Sequence, residues 1–344
     1  MKFLLTAINA KFIHSNPAIY SLRAGAGEKL QPYVELAEFT INESLESILE
    51  GIWKRQPKVI GFSCYIWNWK LIREILTELP KILPDTEIWL GGPEVTYDGP
   101  GLLREFPQVT GIMVGEGEVT FREVLEQYLR EAETAGQSEQ QPESDSTEHQ
   151  VADRRGTVAG KSMVERFGQI PGLCLASGYT APRDLTDLTT LPFLYEDMEP
   201  FTNRIIYYET SRGCPYRCSY CLSSIDKKVR LRDISVVKRE LQFFLDQNVK
   251  QVKFIDRTFN CDHKHAMEIW RYIYEHDNGV TNFHFEISAD ILREEEIALL
   301  NRFRPGLAQL EIGVQSTNPE TIRAIHRVMD VDKLEKIVAA IHRG

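Results

Sequence analysis

The sequence has 344 residues, a length typical of two domains that each bury a core of their own. Its 50 acidic residues outnumber its 40 basic ones, which argues against a nucleic-acid-binding protein because nucleic-acid-binding surfaces are basic. No apolar run approaches the roughly 18 residues that a membrane span needs. We therefore expect neither a membrane nor a nucleic acid as a partner, and a small molecule or a peptide stays open as the substrate.

The opening segment, MKFLLTAINA, fits either a weak signal peptide or a first buried strand. Strand–helix alternation begins at once, and this favours a strand at Lys2–Ile8. Secretion would also place the six cysteines, three of them clustered, in an oxidising compartment where disulfides form. Because the cysteine spacing does not look like a disulfide framework, we expect a cytoplasmic protein.

Residues 1–130 predict a Rossmann-like α/β domain. Short apolar runs alternate with amphipathic stretches, which is typical of a doubly wound parallel sheet with helices on both faces. The segment Ser44–Arg55 is one predicted helix, with Asn42 as its N-cap. The predicted strands are Lys2–Ile8, Val34–Thr40, Val59–Ser63, Glu87–Leu90 and Thr110–Val114.

The composition changes after Arg130. Residues 131–168 contain few large apolar side chains and many Glu, Gln, Ser and Gly residues. Such a segment cannot bury enough surface to offset the entropy of ordering, so we predict a disordered polar insertion. Residues 169–203 regain apolar character and predict a hairpin followed by a connecting segment.

A second strand–helix series occupies residues 204–344. Its predicted strands are Ile205–Glu209, Gln251–Ile255, Asn282–Ser288 and Gln309–Val314. These four strand–helix units describe the first half of a β/α barrel, and they fall short of the roughly 200 residues that a closed barrel uses. Because the sequence stops inside a helical pattern, we expect an incomplete barrel from a truncated chain.

The segment TSRGCPYRCSYC, residues 210–221, follows the first strand of this second series. It places Cys214, Cys218 and Cys221 on a loop at the carboxyl end of a strand, which is the active face of a β/α barrel. Thiolates are soft ligands that suit zinc or an iron–sulfur cluster. A structural zinc site is usually filled by four protein ligands. Three local thiolates therefore favour a [4Fe–4S] cluster whose fourth iron stays open for chemistry.

The stretch ETSRGCPYRCSYC resembles the signature of the radical S-adenosylmethionine (SAM) superfamily. The resemblance implies a [4Fe–4S] cluster on the three cysteines, with SAM bound at the open iron and Tyr220 facing its adenine. FIDRTFN, FEISAD and LEIGVQST are similar to the later strands of radical SAM barrels, and polar packing between strands is the alternative for their side chains. The residues that the resemblance suggests for SAM binding are Tyr220, Asp256, Glu286, Ser288, Glu311, Gln315 and Ser316.

A second metal site is conceivable at CDHKH, where Cys261, His263 and His265 alternate. We favour a helix start that is capped by Asn260 or Asp262 and leaves the histidines exposed. No metal role is therefore expected for this segment.

Loops in the first domain also carry distinctive residues. Ligands of an open parallel sheet bind outside the carboxyl ends of the strands, and GFSCYIWN, LGGPEVT and VGEGEVTF stand at three such ends. No GxGxxG follows the first strand, which disfavours a dinucleotide site. The alternative to any ligand site is that the glycines form tight turns and Ser63 packs. We expect Cys64, Trp67 and Trp69 to serve packing rather than chemistry.

Together these loops resemble the cobalamin-binding domain that precedes the barrel in the B12-dependent branch of the radical SAM superfamily. The resemblance implies that Ser63 lines the pocket of the cobalamin nucleotide tail. The Asp-x-His-x-x-Gly motif, which supplies a cobalt ligand in other B12 proteins, does not occur here, and this branch commonly lacks it. The residues that the resemblance suggests for cobalamin binding are Asn9, His14, Ser63, Gly91, Gly92, Glu94, Gly115, Glu116 and Gly117.

The two resemblances imply a [4Fe–4S] cluster, SAM and cobalamin as cofactors. They imply an enzyme that cleaves SAM reductively and transfers a methyl group to an unactivated carbon, with electrons from a donor such as flavodoxin or ferredoxin. Radical chemistry without methyl transfer, such as cyclisation or rearrangement, is one alternative. A non-catalytic cobalamin-binding fragment is another, because the predicted barrel is incomplete.

Overall fold

The computed structural model describes residues 2–138 and 162–342, which fall into two compact units. The first unit comprises Met1–Thr186 and Leu191–Glu196, and the second comprises Asp187–Thr190 and Asp197–Gly344. Each unit has the α/β architecture that the sequence predicts. None of the helices in the described ranges is long and apolar enough to cross a membrane.

The first unit is built on one mixed sheet. Its strands are β1 (Phe3–Asn9), β2 (Val34–Thr40), β3 (Val59–Ser63), β4 (Glu87–Gly91), β5 (Val109–Met113), β6 (Leu173–Leu175) and β7 (Gly178–Tyr179). Its helices are α1 (Pro17–Gly25), α2 (Leu45–Trp53), α3 (Trp69–Ile82), α4 (Gly99–Glu105), α5 (Gly117–Ser138) and α6 (Met163–Phe167). The strand order is β2-β1-β3-β4-β5-β6-β7, with β1 to β5 parallel.

The strand order reverses between β1 and β3, so the sheet is doubly wound as predicted. Every residue of β1 is buried, which is expected of an interior parallel strand with helices over both faces. Ile8 contributes to the core on one face of the sheet and Phe3 to the core on the other. The opening segment therefore forms an interior strand of the sheet.

One predicted helix start needs correction. Helix α2 begins after Ser44, whose Oγ accepts a hydrogen bond from Ser47 N at 3.2 Å. Asn42 is not the N-cap, because it lies in a turn that ends before the helix. That turn is closed by Glu43 N donating to Thr40 O at 3.1 Å.

The predicted polar insertion, residues 131–168, is too wide at both ends. Helix α5 continues through Ser138, and α6 begins behind a capping box at Ser162. The rest of the predicted insertion, residues 139–161, lies outside the described residues. The predicted length of the irregular segment is therefore too great by about one helical turn or more at each end.

A buried arginine explains why α6 is ordered. Arg166 pairs with Glu87 of β4 at 3.0 Å and with Glu131 of α5 at 2.9 Å, and its side chain is only 1% exposed. Removing one partner of such a buried pair typically costs roughly 3–5 kcal/mol. The composition of the segment itself cannot predict these ion pairs, because the two glutamates lie 79 and 35 residues from Arg166 in the sequence.

The hairpin predicted within residues 169–203 forms as β6 and β7. Strand β6 pairs antiparallel with β5 through Ile112 and Cys174, so the hairpin extends the first sheet. The first unit therefore reaches well beyond the boundary predicted at residue 130.

The second unit contains the four predicted parallel strands. Its strands are β8 (Ile206–Tyr208), β9 (Ser211–Arg212), β10 (Arg230–Leu231), β11 (Gln251–Phe254), β12 (Asn282–Ile287) and β13 (Ala308–Ile312). Its helices are α7 (Ile234–Asp246), α8 (His263–Glu275), α9 (Glu294–Leu300), α10 (Pro319–Ala324) and α11 (Val331–His342). The parallel sheet has the order β13-β12-β11-β8, whereas β9 and β10 form a short antiparallel ribbon that the sequence analysis did not predict.

The two faces of the second sheet differ in polarity. One face carries Phe254 and Phe285, which are fully buried and pack against each other, and Phe285 also packs against Trp270 of α8. Successive side chains of a strand point to opposite faces, so Lys253 and Glu286 lie on the other face. Parallel sheets usually bury both faces in apolar surroundings. The polar face is therefore a candidate for ligand contact.

Candidate functional site

A hydrogen-bond network closes the switch point between β1 and β3. Glu38 Oε1 accepts from Asn9 Nδ2 at 2.8 Å and from Asn16 N at 3.0 Å. Asn16 Nδ2 donates to Ser63 Oγ at 2.8 Å. The network joins two predicted residues, Asn9 and Ser63, to two that the sequence analysis missed. Asn16 had a sequence signal, because Asn followed by Pro17 is typical of a helix start.

Asn68 is a third residue that the sequence analysis missed at this edge. It is fully buried, and its Nδ2 donates to Ile8 O at 3.1 Å and to Ser63 O at 2.9 Å. Its Oδ1 accepts from Tyr65 N at 2.8 Å. Asn68 therefore ties the ends of β1 and β3 together.

Aromatic side chains are exposed on loops at the carboxyl ends of the strands. Phe12 is 65% exposed and Trp67 is 48% exposed, and Trp67 stacks on Tyr65 with the ring centroids 4.4 Å apart. Trp67 was predicted to serve packing; about half of its surface is packed, and the other half is exposed to solvent. Cys64 is fully buried and Trp69 packs against the same core, as predicted.

Two glycines at strand ends have different surroundings. Gly92, after β4, has φ +111°, and a Cβ there would lie 2.5 Å from Cys64 O. Gly115, after β5, has φ +81°, and a Cβ there would meet nothing within 4 Å. Gly92 is therefore required by packing inside the protein, whereas Gly115 leaves backbone open to a ligand. Gly91 ends β4 beside them.

The other residues suggested for cobalamin differ in accessibility. Glu94 is exposed and His14 is half-buried. Glu116 Oε2 accepts a backbone hydrogen bond at 2.7 Å. A Cβ at Gly117 would lie 2.9 Å from Leu22 Cδ2, the end of a flexible side chain of α1.

The three clustered cysteines lie on one loop, residues 213–229, between β9 and β10; we call it the cysteine loop. Cys214 and Cys218 are buried and Cys221 is half-buried. Cys214 N donates to Asp226 O at 3.0 Å, and Cys221 N donates to Cys218 O at 3.1 Å. Gly213 has φ +98°, and a Cβ there would lie 2.5 Å from a carbonyl oxygen on the far side of the loop. The loop is therefore tightly closed at its base.

The donor chemistry of this loop fits an iron–sulfur cluster. All six cysteines of the chain are free thiols within the described residues, and half of them lie on this one loop. Soft thiolates are the usual ligands of such clusters. In the described ranges, no three Cys, His, Asp or Glu side chains are already grouped as in a metal site, so the assignment of Cys214, Cys218 and Cys221 stays a prediction.

Asp256 holds the residues that lead into the cysteine loop. It is 1% exposed, and its Oδ1 accepts from Thr210 Oγ1 and from Ser211 Oγ, both at 2.6 Å. Its Oδ2 accepts from Thr210 N at 3.0 Å. Burial raises the pKa of Asp256 to about 6, and these hydrogen bonds oppose the shift. Both oxygens are engaged by the protein, so the geometry favours positioning of the loop over the suggested contact with SAM.

Tyr220 connects the cysteine loop to the segment after β13. The ring is 51% exposed, and its OH accepts from Arg327 Nη1 at 3.2 Å. Arg327 Nη2 also donates to Gly313 O. Nearby, Ser219 N donates to Ile325 O at 2.9 Å. The tip of the cysteine loop is therefore held by a segment from the end of the sheet.

Gln315 and Ser316 lie on this same segment. Gln315 is exposed with φ +62°, a left-handed conformation that residues other than glycine adopt infrequently. Ser316 Oγ accepts from Asn318 N at 3.1 Å. The structure thus brings two predicted SAM residues onto the segment that contacts the cysteine loop.

A charged cluster occupies the polar face of the second sheet. Lys253 Nζ lies 2.9 Å from Glu311 Oε2 and 3.6 Å from Glu286 Oε1. His284 Nε2 lies 3.0 Å from Glu311 Oε2, although the angles are not those of a hydrogen bond. Burial lowers the pKa of His284, and Lys253 lowers it further. Glu286 and Glu311 are predicted from the sequence, whereas Lys253 and His284 are not, although strand alternation places them on the same face.

Ser288 is buried in a polar packing arrangement. Its backbone N donates to Asn260 Oδ1 at 2.9 Å, and Asn260 Nδ2 donates back to Ser288 O at 2.9 Å. Its hydroxyl donates to Asp290 Oδ1 at 2.8 Å. These contacts agree with the alternative prediction for Ser288, in which it takes part in polar packing and does not bind SAM.

The CDHKH segment begins helix α8. Asp262 is the N-cap, as expected, and its Oδ1 accepts from His265 N at 2.9 Å. The expectation that both histidines are exposed is wrong, because His265 is buried and His263 Nδ1 lies 2.9 Å from Glu296 Oε1. Packing of α8 against its neighbours covers this end of the helix.

Comparisons with known proteins identify two domains. The family model of the B12 binding domain matches residues 4–125, and that of the radical SAM superfamily matches residues 208–343. The first match lies within the first unit and the second within the second unit. The two resemblances drawn from the sequence are therefore confirmed.

Several curated relatives match the chain over part of their length. The 2-(S-pantetheinyl)-carbapenam-3-carboxylate methyltransferase of Streptantibioticus cattleyicolor is 27% identical over 69% of this chain and 32% of its own length. The cobalamin-dependent radical SAM methyltransferase TokK of Streptomyces tokunonensis is 26% identical over 59% of this chain and 28% of its own length. The anaerobic magnesium-protoporphyrin IX monomethyl ester cyclase of Rubrivivax gelatinosus is 21% identical over 86% and 50%. The chain thus spans at most about half the length of these relatives.

Two solved structures share the fold. The radical SAM methyltransferase TsrM from Kitasatospora setae superposes with a TM-score of 0.68 at 17% identity, over 100% of this chain and 66% of its own. The cobalamin-dependent SAM radical enzyme OxsB superposes with a TM-score of 0.71 at 15% identity, over 98% of this chain and 47% of its own.

The matched domains also identify the cofactors. A B12 binding domain implies cobalamin, and a radical SAM domain implies SAM and a [4Fe–4S] cluster. The sequence order of the two matches, with the B12 binding domain first, is the order expected from the resemblance. This chain therefore carries a B12 binding domain at residues 4–125 ahead of a radical SAM domain at residues 208–343.

Proposed function

We propose that this protein is a cobalamin-dependent radical SAM methyltransferase that transfers a methyl group to an unactivated carbon of a small molecule or a peptide. The observation that carries the proposal is the pairing, on one chain, of a B12 binding domain with a radical SAM domain whose first strand leads into the cysteine loop. Two of the relatives, at 26% and 27% identity, are named methyltransferases.

The thiolates of Cys214, Cys218 and Cys221 are the proposed ligands of the cluster. When bound, the cluster supplies the electron for reductive cleavage of SAM, and cobalamin supplies the methyl group. The surrounding residues position these ligands: Asp256 orders the residues that lead into the cysteine loop, and Arg327 contacts Tyr220 within the loop. Burial of two of the three cysteines also limits their contact with water.

For SAM, we propose contacts with Tyr220, Gln315 and Ser316. These residues lie on two segments that touch each other, and Tyr220 directly precedes the last cysteine of the loop. Glu286 and Glu311 on the polar face of the sheet are further candidates, because both are partly accessible and charged. Asp256 and Ser288 serve the packing around them.

For cobalamin, we propose the carboxyl edge of the first sheet. Ser63 and Asn9 lie at the switch point, where open sheets of this type bind ligands. Asn16 orients the Ser63 hydroxyl, and the open backbone at Gly115 allows close approach of a large ligand. His14, Gly91, Gly92, Glu94, Glu116 and Gly117 complete the proposed set.

Radical chemistry without methyl transfer is the second candidate. The cyclase of Rubrivivax gelatinosus matches 86% of this chain, whereas the carbapenam methyltransferase and TokK match 69% and 59%. The same three cysteines would serve either reaction, because both would begin with SAM cleavage.

We propose a one-electron donor such as flavodoxin or ferredoxin, and a reducing compartment such as the cytoplasm. Support for the compartment comes from the cysteines, which form no disulfide among the described residues. Oxidising compartments favour disulfides.

Anaerobic reconstitution with iron and sulfide tests the proposal. The full chain should bind about four irons, and the Cys214→Ala/Cys218→Ala/Cys221→Ala variant should bind none. The Cys174→Ala variant, which changes a buried cysteine of the first unit, should keep its iron. Full zinc occupancy without iron would overturn the cluster assignment.

The loaded protein then separates the candidate functions. Transfer of a labelled methyl group from SAM to a product supports the methyltransferase. Cleavage of SAM without methylation of any product supports the second candidate. Cobalamin binding without any SAM cleavage would identify a non-catalytic cobalamin-binding fragment.

A further inference from the structure

The cysteine loop has an outer surface that the proposed chemistry does not use. Leu222 and Ile225 are 55% and 61% exposed, although large apolar side chains are usually buried. Arg217, Lys227 and Lys228 are exposed on the same loop. We call these five residues the loop patch.

The positive charge of the loop patch is not neutralised by neighbouring side chains. Within the described residues, the side chains of Arg217, Lys227 and Lys228 make no ion pair and no hydrogen bond; Lys228 donates only through its backbone N, to Asp226 Oδ1 at 3.3 Å. The one acidic residue of the loop, Asp226, pairs with Arg230 at 2.8 Å. Because the whole chain has a net charge of −10, a local group of free cations indicates an anionic partner.

The two exposed apolar side chains indicate the kind of partner. A free small anion would be held by charge and hydrogen bonds, and it would gain nothing from Leu222 or Ile225. Protein interfaces, in contrast, combine an apolar centre with a polar and charged rim. The net negative charge of the chain disfavours a nucleic acid. The loop patch therefore fits an acidic protein.

We propose that the loop patch is the docking surface for a small, acidic one-electron carrier protein of the flavodoxin type. This inference rests on the proposed function, because it requires the cysteines of the same loop to hold the cluster. In the transfer, the reduced carrier loses one electron and the [4Fe–4S]²⁺ cluster gains it to become [4Fe–4S]¹⁺, with no proton or group transferred. A carrier on the loop patch contacts the same stretch of chain that carries the electron acceptor.

Such an interface has a characteristic dependence on salt. Electron-transfer encounters bury little surface, below about 1,200 Å² in total, and their charges act mainly on the rate of association. Salt screens exposed charges beyond roughly 8–10 Å at physiological ionic strength. The rate at which the carrier reduces the cluster should therefore fall as salt is added.

Charge reversal on the loop patch tests the inference in the full, cluster-loaded chain. With reduced flavodoxin at low salt, the Lys227→Glu/Lys228→Glu variant should be reduced about tenfold or more slowly than the wild type. Calorimetry with oxidised flavodoxin should show weaker binding to this variant, without any turnover. The matched control is Lys333→Glu/Lys336→Glu, which reverses two exposed lysines of α11 and changes the net charge equally. This control should behave like the wild type.

Further measurements separate docking from damage to the cluster. All three proteins should contain the same amount of iron, and dithionite, a small reductant, should reduce them at equal rates. The Leu222→Ser/Ile225→Ser variant should bind flavodoxin more weakly at every salt concentration, because it loses apolar contact rather than charge. Equal rates with flavodoxin for the wild type and both charge-reversed variants would overturn the docking surface. A wild-type chain that holds no iron would instead overturn the proposed function, and this inference with it.

Discussion

Asp256 connects the second sheet to the cysteine loop through a single buried carboxylate. Burial raises its pKa from 3.8 to about 6, although hydrogen bonds from Thr210 and Ser211 favour the charged form. An acid with a higher pKa in the folded state binds protons more tightly there. Its contribution to stability is therefore complete below about pH 4 and is lost as the pH rises through about 6.

The Asp256→Asn substitution removes this titration. From about pH 4 to about pH 7, the free energy of unfolding of the wild type should fall relative to that of the variant by about 2–3 kcal/mol, because each pKa unit corresponds to about 1.4 kcal/mol. Urea denaturation at a series of pH values measures the difference. The exposed Asp332→Asn variant should follow the wild type at every pH. A constant difference between the wild type and Asp256→Asn would show that Asp256 titrates normally.

At the scale of elements, the turns that follow β4 and β5 use glycine for different reasons. Gly92 approaches the chain that leaves β3, where a Cβ would lie 2.5 Å from Cys64 O. Gly115 shares a positive φ, but its side-chain position is open space. Comparing the two positions separates the cost of backbone conformation from the cost of a steric clash.

Alanine at each position should therefore have a different effect on stability. Gly115→Ala should lower the free energy of unfolding by about 1–2 kcal/mol, the cost of a positive φ for a residue with a Cβ. Gly92→Ala should lower it at least about twice as much, because its methyl group also meets a backbone carbonyl that cannot rotate away. Urea denaturation followed by circular dichroism measures both values. Equal losses would contradict the close approach at Gly92.

At the scale of the whole molecule, the two proposed cofactor sites draw on different parts of the chain. The residues proposed for cobalamin lie between Asn9 and Gly117, in the first unit. The cysteines proposed for the cluster lie in the second unit. Each family model also matches within one unit only. We therefore expect each unit to bind its cofactor without the other.

Two variants of the full chain test this expectation. The Cys214→Ala/Cys218→Ala/Cys221→Ala variant should lose its iron and keep its cobalamin. Gly92→Ala, which disturbs the edge of the first sheet, should weaken cobalamin binding and keep its iron. Anaerobic iron assays and absorbance titrations with cobalamin measure the two properties. Loss of cobalamin binding in the cysteine variant would contradict independent loading.

The sequence by itself determined the local elements and the cofactor motif. Strands β2 and β3 begin and end at the predicted residues, because an apolar run between turn residues specifies a buried strand without reference to the rest of the chain. The spacing of the three cysteines is likewise a local pattern. The order of strands and helices was sufficient to predict a doubly wound sheet followed by part of a barrel.

Only the tertiary structure decided which distant residues meet. It joined the β6–β7 hairpin to the first sheet and ordered α6 through Arg166, whose partners are far away in sequence. It also buried Asp256 against the residues that lead into the cysteine loop and placed Lys253 beside Glu311 on the same face of the second sheet. These contacts depend on how strands pair and helices pack, and the energy of a buried charge depends on everything around it. These surroundings cannot be predicted from a residue's type and its neighbours in the sequence.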